Sequence, residues 1–188
     1  MLEPPNENNF REWFANVKTP PAKASASWFR TRGRHFERAL YHLLAAESLS
    51  PRTSFKPKSE QIDGAFECVH RYFLLEAKWQ VKPIGLKELD SLHAKVERKL
   101  SGTLGVFLSM SGYPRDAADS LVKAKSLKIV LFGAGDIEAC FDSAVGFKEV
   151  LTVKLRAASE YGVPYHEYRP LVMAPVVIPN SGQSREGK

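Results

Sequence analysis

No pair of cysteines at CxxC or CxxH spacing occurs in this chain of 188 residues, and its two thiols, Cys68 and Cys140, lie far apart. That excludes a zinc finger or ribbon and a disulfide framework, so both read as buried thiols in a reduced compartment. Nor does any segment approach roughly 18 uninterrupted apolar residues, the length a helical membrane span needs. The leading MLEPPNENNFREWF lacks the basic stretch and apolar run of an export signal, so the expectation is a cytoplasmic protein with no membrane partner. Metal-ligand spacing is missing among His35, His42, His70, His93 and His166. The GAG at 133–135 lacks the remaining glycines of a dinucleotide fingerprint and reads as a turn. No internal repeat is present.

What the chain has is a hydrophobic content of 44% beside 26% charged residues, enough for one domain with a substantial core. A net charge of +6 and a pI near 9.3 permit a nucleic-acid partner without selecting one.

Helical and strand periods alternate along the chain. Phe10, Trp13, Phe14 and Val17 predict a short amphipathic helix, set apart by the connector KTPPAKASAS. Phe36, Leu40, Leu43 and Leu44 predict a helix over 34–48, closed by Pro51. IDGAFECV and RYFLLEAKW are rich in β-branched, aromatic and aliphatic residues, and CVHRY joins them as a hairpin. A helix over LKELDSLHAKVERKL follows, then the apolar strand TLGVFLSM, a helix near 114–125, the strand KIVLFG, and helices near DIEACFD and FKEVLTVKLRAASEYG. The expectation is an α/β fold with a central mixed sheet flanked by helices: a meander, then strand-helix-strand crossovers. The expected divisions are a helix and linker over 1–27, a core domain over 28–172, and a flexible polar tail over 173–188.

The strand FLLEAKW carries the chemistry. Period-two geometry puts Leu74, Glu76 and Lys78 on one face, with Phe73, Leu75, Ala77 and Trp79 on the other. A carboxylate and an ammonium on an otherwise apolar strand cost desolvation unless partners answer them. Asp63, 13 residues before Glu76, folds back beside it if the hairpin turns at His70, and Gly64 leaves room for close backbone approach. Read alone, Asp63 is a turn aspartate and Glu76 with Lys78 an exposed charge pair; the apolar flanks argue against the solvated reading. Glu37 sits at the margin of a buried helix face and fits a surface glutamate as well as a site residue. Arg30, Arg32, Arg34 and Arg38 either clamp phosphates or solvate the surface. Lys95, Arg98 and Lys99 read as a solvated helix end, and Trp28 and Trp79 as core.

The pattern QIDGAF, nine residues, then EAKW, preceded by a helix containing RGRHFE, resembles the PD-(D/E)XK nuclease superfamily in its restriction-endonuclease-like, Mrr-related branch, over roughly residues 30–135. Ile62 stands where the motif name has proline. The resemblance implies an αβββαβ core, with Asp63 as the motif aspartate, Glu76 and Lys78 as its E-x-K, and Glu37 as the first-helix glutamate. It further implies Mg2+, with Mn2+ as substitute, held by Asp63, Glu76 and the Ala77 carbonyl. Lys78 would orient or deprotonate the attacking water, with its pKa lowered near the metal. DNA is then the partner, with Arg30, Arg32, Arg34 and Gln61 as candidate contacts and Glu60 a weaker neighbour of the site. Restriction of foreign DNA by a homodimer touching through the N-terminal helix or C-terminal segment is the leading expectation. A silent nuclease-fold binding subunit and a junction-resolving or repair nuclease are the alternatives.

Overall fold

Alternating side chains along one strand feed two separate cores, and that division organises the molecule. A computed structural model describes residues 2–57, 60–122 and 127–169. The tail expected over 173–188, and the end of the helix expected over 114–125, lie outside the described residues. The elements are α1 (Phe10–Val17), α2 (Ala26–Ala46), β1 (Gly64–Cys68), β2 (Arg71–Lys78), α3 (Leu86–Glu97), β3 (Leu104–Ser109), α4 (Arg115–Val122), β4 (Ile129–Phe132), α5 (Ala134–Phe141) and α6 (Phe147–Tyr161).

The four strands lie in the order β1-β2-β3-β4, with β1 antiparallel to β2 and the other two pairs parallel. Phe73, Leu75 and Ala77 of β2 join a core with residues of α1, α2, α5 and α6, while Leu74 joins the opposite core with Leu89, Leu92 and Val96 of α3 and Ala117 of α4. The result is an α/β fold with a mixed sheet covered by helices on both faces. Of the three antiparallel strands in the expected core, the first is reduced to two isolated bridges, Arg52 with Ala65 and Phe55 with Ile62. Pro51 and Pro57 flank that segment and cannot donate to a ladder, which keeps it short. Among the described residues, no helix is long and apolar enough to cross a membrane.

Two helices differ from expectation. α2 starts at Ala26 rather than Arg34, because Ser25 caps it, its hydroxyl accepting from the Trp28 amide at 3.2 Å. α1 is not remote: Phe10, Trp13, Phe14 and Val17 are buried in the larger core, and Phe14 stacks on Phe141 at 4.0 Å between ring centroids.

Three local features tie the elements together. Gly105 of β3 lets α3 close onto the sheet, since a Cβ there would lie 3.1 Å from Val96 and from Ile129. Glu47, just past α2, accepts from the Phe147 and Lys148 amides at 2.6 and 2.8 Å and so caps α6. Lys154 and Asp136 form a fully buried ion pair at 2.6 Å, and Asp136 also accepts from the Gly133 and Tyr168 amides.

The β1–β2 turn is made by Val69 and His70, both at positive φ (49° and 57°), the geometry of a two-residue primed turn. A β-branched residue is strained there, and Val69 is 78% exposed, so no packing offsets the strain. The double substitution Val69→Asn with His70→Gly, which installs the pair such a turn favours, is expected to raise the unfolding free energy by about 1 kcal/mol. Urea denaturation checks this, and a loss of stability would contradict the turn assignment.

Candidate active site

The hairpin register delivers Asp63 to Glu76. Gly64 pairs with Leu75, so Asp63, one residue earlier, falls opposite the next residue of β2. Gly64 meets the need anticipated for it: a Cβ there would lie 3.2 Å from the Arg52 carbonyl. Opposed residues share a face, and Lys78, two residues on, shares it too.

The three groups form one ion network at the end of β2. Lys78 Nζ lies 3.0 Å from Asp63 Oδ2 and 3.6 Å from Glu76 Oε2. Asp63 Oδ2 also accepts from the Ala77 amide at 3.3 Å. Asp63 and Glu76 are 8% and 6% exposed, so neither is a solvated surface charge. The Lys78 carbonyl accepts from the Met110 amide. Bonding directions alternate along a parallel ladder, so the backbone groups of Ala77 face the β1 side, where its amide meets Asp63.

A residue read as part of a solvated helix end completes the network. Lys95 of α3 donates to Glu76 Oε1, and its side chain is only 14% exposed. The close approach of α3 at Gly105 brings it there. The signal in the sequence was positional: Lys95 lies one turn after buried Leu92 and adjoins buried Val96, at the rim of the apolar stripe. Its neighbours Arg98 and Lys99 pair instead with Glu60, with Lys99 at 3.6 Å. They hold Glu60 below the usual carboxylate range despite its desolvation. Glu60 is thereby engaged with the end of α3, and Gln61 is exposed.

Glu37 approaches from the opposite face, on α2. Burial first, and the Asp63 and Glu76 carboxylates beside it, raise its pKa to about 7 against the opposing pull of Lys78 and Arg34. Burial and the Asp63 carboxylate likewise push Glu76 up, opposed by Lys95 and Lys78. For Lys78, burial works to lower the pKa, but Asp63, Glu76 and Glu37 outweigh it and hold the ammonium above its ordinary value. With the chain's own groups alone, the balance therefore runs opposite to the lowered value expected beside a metal.

Two cavities open on this cluster and share Arg34 and Glu37. One, of about 450 Å³, runs from Asp63 to Pro51 and Arg52; the other, of about 720 Å³, runs from Lys78 to Arg30 and Val81. Arg30, Arg34 and Arg38 recur every fourth residue along α2 and are all exposed. Arg32 turns inward: it is 4% exposed, lies over the rings of Trp28, Phe29 and Trp79, and donates to the Val17 carbonyl. Trp79 packs on Phe14 and Phe36, in keeping with a core role.

Among the described residues, no three His, Cys, Asp or Glu side chains converge as a metal cage. The donors at hand are two carboxylates with a backbone carbonyl, an all-oxygen set of the kind that holds Mg2+ together with water and phosphate. The Lys78 ammonium, shared between the two carboxylates, marks that spot as favourable to a cation.

No protein-family model matches the chain, and no curated protein does. Solved structures similar to it include the protein of unknown function AF1548, at 17% identity and a TM-score of 0.46, covering 63% of this chain and 64% of that one. The MspJI restriction endonuclease in complex with a 27-mer oligonucleotide is similar at 17% identity and a TM-score of 0.45, covering 80% of this chain and 39% of that one. Protein VC1899 from Vibrio cholerae is similar at 13% identity and a TM-score of 0.44, covering 80% and 43%. The chain thus spans less than two thirds of the length of each.

The raised pKa of Glu37 has a signed consequence. The folded chain holds this proton up to about pH 7, while the unfolded chain releases it near 4.5. Native protein therefore binds more protons between those values, and stability falls as pH rises through that window. Replacing Glu37 by Gln removes the effect, so E37Q should gain on wild type between pH 4.5 and 8 by on the order of 1 kcal/mol, allowing for solvent screening. Urea midpoints at the two pH values check it; an unchanged difference would place Glu37 in ordinary solvent.

Proposed function

We propose that this chain is a magnesium-dependent nuclease of the PD-(D/E)XK superfamily, restriction-endonuclease-like and Mrr-related, that hydrolyses DNA phosphodiester bonds internally. The observation that carries the reading is the placement of Asp63 and Glu76 side by side at the end of the β1–β2 hairpin with Lys78 bridging both. Burying two carboxylates together is costly, and a fold has no structural need for the pair at a strand end.

In this reading Asp63, Glu76 and the Ala77 carbonyl hold Mg2+, or Mn2+ in its place, and the ion would neutralise charge on the phosphate and acidify a bound water. Lys78, which bridges both carboxylates, would orient or deprotonate the attacking water and stabilise negative charge on the phosphate oxygens. Lys95 fixes Glu76 from the α3 side and adds a second positive charge. Glu37, poised near neutrality, takes up or releases a proton beside Asp63. Arg30, Arg34 and Arg38 line one side of the approach and contact the backbone of the strand. Cavities on both sides of the cluster support internal cutting, since a strand can enter by one and leave by the other.

One chain offers one such site, so cutting both strands calls for a homodimer. The apolar face of α1 is spent within its own chain, which leaves other surfaces for that contact. Restriction of foreign DNA in the cytoplasm is the biological role that fits this chemistry.

The test is incubation of the pure protein with plasmid, with and without Mg2+ or Mn2+. Wild type should nick or linearise it only with metal. Asp63→Ala and Lys78→Ala should each lose about 100-fold or more in rate, and Lys95→Ala about tenfold, with folding checked by circular dichroism. Wild type that leaves plasmid, methylated and branched DNA intact in every metal would overturn the nuclease reading in favour of a silent binding subunit. Activity confined to branched DNA would point to junction resolution instead of restriction.

A further inference from the structure

We propose that the cavity of about 450 Å³ beside Asp63 is a pocket for one unstacked nucleobase of the strand being cut. The inference rests on the nucleic-acid reading above, and adds to it how the substrate is presented.

Its volume lies within the roughly 300–1,000 Å³ typical of small-ligand sites. Its lining is mixed, with apolar contributions from Pro51, the Tyr41 ring, Ala65 and the edges of the nearly buried Leu40, Leu44 and Leu75. The rim is cationic, with exposed Arg34, Arg38 and Arg52. A partly apolar cleft ringed by arginines matches a flat heterocycle flanked by two phosphates. A lone anion would leave the apolar part of the lining unused, and a lipid chain would leave the arginines unused.

The outer wall is held in place. Arg52 and Ala65 exchange two backbone bonds, at 2.7 and 3.2 Å, and Phe55 and Ile62 exchange another two at 3.0 Å. The Arg52 guanidinium lies over the Phe55 ring at 4.2 Å, which keeps it at the rim. Asp63 and Glu37 are among the lining residues, so a base seated here places its neighbouring phosphate close to the carboxylates. Extruding a base is costly in a paired duplex and least so in a single strand or mismatch. The pocket therefore favours single-stranded or locally opened DNA over perfect duplex.

Binding rather than cutting tests this, with full-length protein in EDTA and a single-stranded oligonucleotide carrying one 2-aminopurine. Wild type should raise its fluorescence several-fold on binding, and one abasic nucleotide in place of the probe base should weaken binding about tenfold. Ser54→Trp, at an exposed position of the wall, and Leu44→Trp, inside the pocket, should each weaken binding about tenfold and abolish the fluorescence rise. Ser54 is outside the core, so its variant folds even if Leu44→Trp does not. Equal affinity for intact and abasic strands, or unchanged binding by Ser54→Trp, would overturn the pocket. So would a tenfold gain from a 5′-phosphate without any dependence on the base, which would make the cavity a terminal-phosphate site. Metal-dependent cleavage lost in Asp63→Ala but without base dependence defeats the pocket alone. Base dependence without any cleavage defeats the nuclease reading and leaves the pocket standing.

Discussion

Two carboxylates lying side by side in a nearly dry position repel each other, and the end of the β1–β2 hairpin is built around that conflict. Asp63 and Glu76 are brought together by backbone register and kept together by two ammonium groups, Lys78 across both and Lys95 on the second. Remove either cation and a buried charge is left without its partner, a larger penalty than the pair itself repays. The rest of the chain serves that geometry. The Val69–His70 turn sets register, Gly64 admits the neighbouring segment, Gly105 lets α3 close in with Lys95, and α2 brings Glu37 from the far side.

Much of this was legible in the sequence because strand geometry is nearly rigid. Period two alone puts Leu74, Glu76 and Lys78 on one face of β2, and the two cores divide its side chains in that way. The hairpin through His70 follows from strand-like runs flanking a short polar junction, and the mixed sheet from apolar runs separated by helices. Less legible was anything set by tertiary packing of long side chains. Lys95 reads as a surface lysine until α3 is seated on Gly105, and Arg32 as one of four surface arginines until Trp28, Phe29 and Trp79 enclose it. The early start of α2 was hidden because Pro and Ser residues before it suggest a loop, while a single serine cap suffices to begin the helix. Among the described residues the weak first antiparallel strand leaves two bridges, because its backbone donors are broken by proline on either side.

The electrostatic asymmetry of the site has a chemical meaning. On the α3 face Lys78 and Lys95 stand against the two carboxylates. On the α2 face Glu37 is the group poised near neutrality, and beyond it the arginine row and the two cavities offer a cationic path. A cationic side and a titratable carboxyl side, with an all-oxygen donor set between them, suit attack on a phosphodiester, where negative charge builds at the centre and a proton must be moved.

The central claim is that Asp63 and Glu76 together make one divalent-cation site that is completed by nucleic-acid phosphate. Electron paramagnetic resonance of free Mn2+, titrated against the protein with a phosphorothioate oligonucleotide present, reads it directly. The account predicts one bound ion for wild type and at least tenfold weaker binding for both Asp63→Asn and Glu76→Gln. Equal Mn2+ binding by wild type and both variants, or none by any of them, would contradict it.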